Sequence, residues 1–161
     1  MSTSVENILI RAAAAEDIDA MLELLEPYVQ QQLVLRRTRD DLACCLGNFL
    51  LAIDRTNGQL RGLGALRPYG NGIFEIRSLA VECSMVRTGI GRVLVQALLD
   101  KGLHLQPPAQ CIFALTKRPE FFEKLGFVHA EKEKFPDKIW ADCRQCPKFH
   151  CCDEVAMEYK G

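Results

Sequence analysis

The sequence has 161 residues, 48% hydrophobic and 25% charged, which suits one globular domain with a full core and excludes a disordered chain. Twenty basic against 21 acidic residues leave a formal net charge of -1, giving no electrostatic reason to expect nucleic acid or an anionic membrane as partner. Apolar runs fall short of a bilayer span and residues 1–7 lack a signal-peptide plan, so we expect a cytoplasmic protein whose eight cysteines are thiols or metal ligands rather than disulfides.

Ile8-Leu9-Ile10-Arg11 reads as a short strand. Ala15-Glu16-Asp17 opens a helix whose apolar residues Ile18, Met21, Leu22, Leu25 and Val29 recur at helical spacing, with Pro27 expected to kink or stop it. Thr38 followed by Asp41 resembles a capping box for a second helix, which Gly47 is placed to end. The period then changes. Phe49 to Ile53, a turn at Thr56-Asn57-Gly58, and Gln59 to Leu66 form a hairpin pattern, and a second turn at Gly70-Asn71-Gly72 leads into a strand from Ile73 to Val81.

A helix from Gly89 to Gly102 follows, with Ile90, Val93, Leu94, Ala97 and Leu98 on its apolar side. Pro107-Pro108 ends the next connection, Cys111 to Leu115 is a compact strand, and Pro119 suits the first turn of a short helix ending before Gly126. Phe127-Val128 starts another strand and Val155 to Tyr159 reads as the last. This alternation is best buried as an α/β (α+β) fold, a mixed sheet with helices on both faces.

Between strand and helix the chain reads Val81-Glu82-Cys83-Ser84-Met85-Val86-Arg87-Thr88-Gly89-Ile90-Gly91-Arg92. Amides at a helix N-terminus are unpaired and carry part of the helix dipole, and glycine lets a phosphate approach them closely. Arg87, Thr88 and Arg92 add charge and a hydroxyl beside them. The same two glycines would equally serve a tight strand-to-helix turn. The dinucleotide repeat is absent, with Leu94 at its third glycine, and no P-loop Gly-Lys-Ser/Thr occurs.

Three landmarks in order, Ile76-Arg77-Ser78-Leu79-Ala80-Val81, Gly89-Ile90-Gly91-Arg92 and Phe121-Phe122-Glu123-Lys124-Leu125-Gly126-Phe127, resemble those of the GNAT superfamily of N-acetyltransferases. The resemblance implies a mostly antiparallel mixed sheet and acetyl-coenzyme A (acetyl-CoA) as co-substrate. It further implies a pantetheine arm paired with the backbone of Leu79, Ala80 and Val81, and a pyrophosphate held on the loop of Arg87, Thr88, Gly89, Ile90, Gly91 and Arg92. Phe122 is placed against the core or the pantetheine. Where the family usually carries Gln or Arg, three residues before the first glycine, this chain has Val86.

Within that superfamily, Leu35-Arg36-Arg37-Thr38-Arg39-Asp40-Asp41-Leu42, Phe74-Glu75-Ile76, Leu115-Thr116 and the run from Lys138-Ile139-Trp140 to Val155-Ala156-Met157 resemble the short form of N-acetylglutamate synthases, which lack a preceding amino-acid-kinase domain. The implied acceptor is the α-amine of L-glutamate. Guanidinium forks suit its carboxylates, so Arg36 and Arg37 are candidate ligands, with Lys138 a further one. The alternative is a solvated basic stretch before a helix. The reaction needs a neutral amine, attack on the thioester carbonyl, a stabilised oxyanion and a protonated leaving thiol. Glu75 is the candidate base, against the alternative of a strand carboxylate paired with Arg77 on the same face. An N–H near Leu79 or Ala80 is the expected oxyanion donor. The family's usual acid is a tyrosine where Phe122 stands, which leaves Thr116, a water or nothing for the thiol. A homodimer is open by analogy with relatives.

Cys143, Cys146, Cys151 and Cys152, with His150 beside them, offer enough soft ligands for a structural zinc or else remain reduced thiols. Cys44, Cys45, Cys83 and Cys111 are expected as small core residues. Two rivals to glutamate acetylation stay open: an acetyltransferase for another small amine, and a metal-stabilised interaction module without catalysis.

Overall fold

The computed structural model describes residues 5–135 and 154–161. Seven strands form one sheet: β1 (Ile8–Ala12), β2 (Phe49–Asp54), β3 (Leu60–Gly70), β4 (Ile73–Val81), β5 (Cys111–Thr116), β6 (Phe127–Ala130) and β7 (Val155–Tyr159). Four α-helices accompany them: α1 (Ile18–Gln30), α2 (Arg39–Cys44), α3 (Ile90–Leu103) and α4 (Pro119–Glu123). The strand order is β1-β2-β3-β4-β5-β7-β6, and every pair is antiparallel except β4 with β5. No helix among the described residues is long and apolar enough to cross a membrane.

Alternation along the strands separates two cores. Leu51, Leu63, Ala65 and Ala80 pack with Met21, Leu25 and Leu42 of α1 and α2. On the opposite face Leu66, Ile76, Ile112 and Met157 pack with Val95, Leu98 and Leu99 of α3 and with Phe122. Helix α3 lies close to the sheet because β3 offers it glycine: a Cβ on Gly62 would come within 2.9 Å of Leu94 and 3.1 Å of Ile90. That approach fixes where the N-terminus of α3 meets the end of β4.

Several expected boundaries hold for the reasons given. Thr38 Oγ1 accepts from the Asp41 N–H at 3.0 Å and Asp41 accepts from the Thr38 N–H at 2.9 Å, a complete capping box at the start of α2. Others do not hold. Helix α1 runs on through Pro27 to Gln30, because the loss of one helical N–H is outweighed by an apolar face already buried. Helix α2 ends at Cys44, well before Gly47, and a 3-10 turn over Leu46–Asn48 leads into β2. Of the four described cysteines expected in the core, Cys44 and Cys83 are instead exposed, while Cys45 and Cys111 are half-buried and pack against core clusters.

The last strand pairs between β5 and β6 and brings Glu158 into the interior, 5% exposed. Its carboxylate accepts from Lys134 Nζ at 2.5 and 2.8 Å and from the Cys111 thiol at 3.4 Å, and lies 2.6 Å from Lys160 Nζ. Burial raises the Glu158 pKa, but the bonds from Lys134, Lys160 and Cys111 outweigh it and hold the carboxyl at about 2, below its ordinary 4.5. Burial and the neighbouring carboxylate push the Cys111 thiol up to about 11, so it is no nucleophile. A depressed folded pKa means stability that is present above the unfolded value and lost as pH falls through the folded one. Between pH 5 and 2 the wild type is expected to lose about 1–3 kcal/mol that a Glu158→Gln variant does not, after discounting for two half-exposed lysines. Urea midpoints measured across that range, parallel for the two proteins, would refute this.

Candidate active site

The two halves of the sheet part at its centre. Strands β4 and β5 pair only at Ile73 with Cys111, Phe74 with Ile112 and Glu75 with Phe113. Beyond Glu75, β4 continues against β3 to Val81 while β5 continues against β7 to Thr116. Among the described residues, the β5-facing edge of β4 from Ile76 to Val81 therefore has no ladder partner. An open edge of backbone donors and acceptors inside a cleft suits an extended, amide-bearing ligand.

That edge is also bent. Between Ala65 paired with Arg77 and Leu63 paired with Ala80, two residues of β4 face one of β3, a β-bulge over Ser78 and Leu79. Ser78 has φ 56°, a left-handed conformation uncommon for a side-chain-bearing residue. The bulge interrupts the ladder to β3 at Ser78 and Leu79, beside the position where the sequence leads us to expect an oxyanion donor.

The loop after β4 ends at the far side of the cleft. Gly89, at φ 96°, is the N-cap of α3, and neither a capping side chain nor an acidic residue occupies the first turn. The first bond of the helix runs from the Val93 N–H to the Gly89 carbonyl at 3.1 Å, so the amides of Ile90, Gly91 and Arg92 precede any helical acceptor. Arg87, at φ 69°, and Arg92 are both exposed beside them. A Cβ on Gly91 would lie 3.5 Å from Phe121 Cζ and 3.7 Å from Val81 Cγ2, so this turn faces both walls of the cleft. These residues fit a pyrophosphate followed by an extended arm, as acetyl-CoA would present.

Individual expectations are refined. The Ile90 and Ala80 side chains are buried, leaving only their backbone for a ligand. The Thr88 hydroxyl donates to the Met85 carbonyl at 2.5 Å and so shapes the loop. Phe122 is 5% exposed and packs edge-on against Phe121 and Phe127, each at 5.1 Å, which is the core placement of the two expected for it. Phe121 is the ring beside the glycine turn. Thr116 Oγ1, at the end of β5, accepts from the Arg118 N–H at 2.9 Å and keeps its own proton to donate. Val86, where the family pattern expects a polar residue, is 45% exposed.

Glu75 lies where the strands separate and is 7% exposed. Tyr69 on β3 donates its hydroxyl to Glu75 Oε1 at 2.7 Å, and Arg77 Nη1 stands 3.8 Å from the same oxygen. Burial, followed by the neighbouring carboxylate, raises the Tyr69 pKa far above its ordinary value, so the phenol remains a donor. Arg67, opposite Glu75 in the register, stacks its guanidinium over the Tyr69 ring at 4.7 Å. Local sequence alone assigns no role to Tyr69; the alternation of Arg67 and Tyr69 on one face, against Glu75 and Arg77, is the signal that points to it. Tyr28 of α1 is a second omission. Its hydroxyl donates to the Val81 carbonyl at 2.5 Å, tying α1 to the end of β4, and helical spacing alone gives no hint of that.

The arginine pair divides. Arg36 forms a bidentate pair with Glu26 of α1, at 3.1 and 3.0 Å, on the surface. Arg37 is half-buried where Arg36 is exposed, and the Cys45 thiol, pushed up by burial, is drawn back by Arg37 and then by Arg77. Lys138, Cys143, Cys146, Cys151 and Cys152 lie outside the described residues. Among the described residues no cluster of metal-ligating side chains occurs.

The model of the acetyltransferase (GNAT) family matches residues 10–127, spanning the bulged strand, the glycine turn and the Phe-Phe helix. The chain belongs to the GNAT acetyltransferase family. It is 36% identical to an uncharacterised N-acetyltransferase of Chlorobaculum tepidum, over 92% of this chain and 93% of that one. It is 32% identical to the amino-acid acetyltransferase of Mycobacterium tuberculosis, over 76% of this chain and 70% of that one. Among solved structures, N-acetylglutamate synthase from Neisseria gonorrhoeae, complexed with coenzyme A and N-acetyl-glutamate, superposes with a TM-score of 0.81 at 26% identity. That match covers 94% of this GNAT chain but 34% of the gonococcal one. The mixed, mostly antiparallel sheet, the N-acetyltransferase class and acetyl-CoA as co-substrate follow from this membership.

Proposed function

We propose that this acetyltransferase transfers the acetyl group of acetyl-CoA to the α-amine of L-glutamate, the first step toward arginine, in the cytoplasm. The observation that carries the reading is the placement of Glu75, held by Tyr69 and flanked by Arg77, where the open edge of β4 begins. The name of the mycobacterial relative supports an amino-acid acceptor, and that of the gonococcal structural neighbour supports glutamate.

Acetyl-CoA supplies the acyl group as a thioester. The amides of Gly89 to Arg92 hold its pyrophosphate, and the backbone of Leu79 to Val81 aligns its arm. Glu75 takes a proton from the acceptor's ammonium, directly or through a water, which leaves a nucleophilic amine. An N–H at or next to the bulge, of Leu79 or Ala80, polarises the acyl oxygen. The departing sulfur takes its proton from Thr116, whose hydroxyl keeps one to donate, or from a water, or leaves as the thiolate.

Screening amino acids and small amines with acetyl-CoA for thiol release tests the acceptor. Turnover with glutamate is expected, and none at saturating acetyl-CoA would remove this reading. Replacing Arg36 and Arg37 by alanine is expected to raise the glutamate KM at least tenfold, the scale of a lost charge-assisted bond, while leaving the acetyl-CoA KM alone. The engagement of Arg36 with Glu26 favours a second reading, an acceptor without a distal carboxylate. Under it, glutamate KM would be indifferent to both substitutions.

A further inference from the structure

Arg77 has no part in the chemistry above, yet it stands beside the candidate base. Its guanidinium stands 3.8 Å from Glu75 Oε1, and the two side chains are only 14% and 9% exposed. It also immediately precedes Ser78, the left-handed residue of the bulge. Arg77 thus lies between the group expected to receive the amine's proton and the backbone expected to polarise the acyl oxygen. Any amine held there for transfer must come within reach of it.

That placement has a chemical consequence. In an α-amino acid the carboxylate carbon lies about 2.5 Å from the amine nitrogen, fixed by two covalent bonds. An amine in contact with Glu75 therefore presents its α-carboxylate at the distance of Arg77. A side-chain carboxylate lies two methylenes farther out. Arg37, half-buried in the α1–α2 connection, shares with Arg77 an influence on the Cys45 thiol. A planar guanidinium offers two parallel donors to one carboxylate, and partial burial strengthens them.

We infer that Arg77 binds the α-carboxylate of the acceptor, so that the site selects free α-amino acids, while Arg36 and Arg37 serve the distal carboxylate. This rests on the reading of Glu75 as the group that meets the amine. It assigns to Arg77 the choice between amino acids and amines that lack the carboxylate, and to the arginine pair the choice among amino acids.

The test compares glutamate with its α-amide, isoglutamine, as acceptors for the wild type, Arg77→Met and Arg77→Lys. The wild type is expected to favour glutamate by at least about 100-fold in kcat/KM, as a site built for a polar group does against an analogue lacking it. Arg77→Met is expected to raise glutamate KM more than tenfold and to shrink that preference to within about threefold, with acetyl-CoA KM unchanged. Arg77→Lys, which keeps the charge and carries the test should Arg77→Met not fold, is expected to fall between. A role limited to steadying Glu75 would lower kcat equally for both acceptors and keep the preference, which overturns the inference. Should glutamate not be turned over but another α-amino acid be, the glutamate reading fails alone and the same comparison runs on that acid and its α-amide. An acceptor without any α-carboxylate, or no amino acid bound or turned over, overturns both.

Discussion

Glu75→Gln is expected to lower kcat with glutamate by about 10²- to 10⁴-fold at neutral pH, the usual range for removal of a general base. The substitution preserves size and can still accept from Tyr69, whose hydroxyl lies 2.7 Å from Glu75 Oε1, so the strand and its bulge should be undisturbed. Only the proton acceptor is removed. The acetyl-CoA KM should therefore hold, since Glu75 lies before the open stretch of β4 that begins at Ile76. Part of the lost rate should return as pH rises, because solvent then supplies amine already deprotonated. A Tyr69→Phe variant gives a graded companion, removing one hydrogen bond to the same oxygen and lowering kcat less. Unchanged turnover in Glu75→Gln would show that water alone accepts the proton and would reduce Glu75 to the strand ion pair that the sequence equally allowed.

Phe113→Ala is expected to cost about 3–5 kcal/mol, the range for deleting a buried phenyl ring. Phe113 is 0% exposed, stacks on Phe135 with centroids 4.2 Å apart, and lies 6.2 Å from the Tyr69 ring. It is also the register partner of Glu75 at the last rung before β4 and β5 separate. Its ring therefore supports the sheet and the phenol that holds the base. For a domain of ordinary stability this is a large share of the total, and a fall in melting temperature of roughly 10 °C is expected. Below the transition, kcat should fall while acetyl-CoA KM stays, because the glycine turn rests on Val81, Phe121 and α3. Denaturation curves give the first quantity and steady-state kinetics the second. A full loss of stability with kcat intact would separate the aromatic cluster from the chemistry.

The remaining outcomes sort by distance from the reacting atoms. Arg36 and Arg37 are expected to act on acceptor KM, Arg77 on the discrimination of the α-carboxylate, and Glu158 on acid stability alone. Glu158 is assigned to stability because its carboxylate is taken up by Lys134, Lys160 and Cys111.

What local sequence determined here is the set of elements and the cofactor turn. Capping by Thr38 and Asp41, left-handed glycines at Gly58, Gly70 and Gly72, and an unobstructed helix start at Gly89 act within a few residues, so spacing and residue type suffice to read them. The three motifs in their order likewise identify the family, because each reports a local backbone need. Only the tertiary structure decided the rest. The early end of the β4–β5 pairing, the insertion of β7 between β5 and β6, and the bulge at Ser78 depend on which strands meet, which no local period encodes. The same holds for side chains far apart along the chain. Phe122 turned into the core because the face of α4 that meets the sheet carries it, leaving Phe121 toward the cleft. Tyr69 reached Glu75 through cross-strand register, whereas Arg77 stands beside it by the strand alternation already legible in the sequence, and Tyr28 reached Val81 only because α1 packs across that face of the sheet.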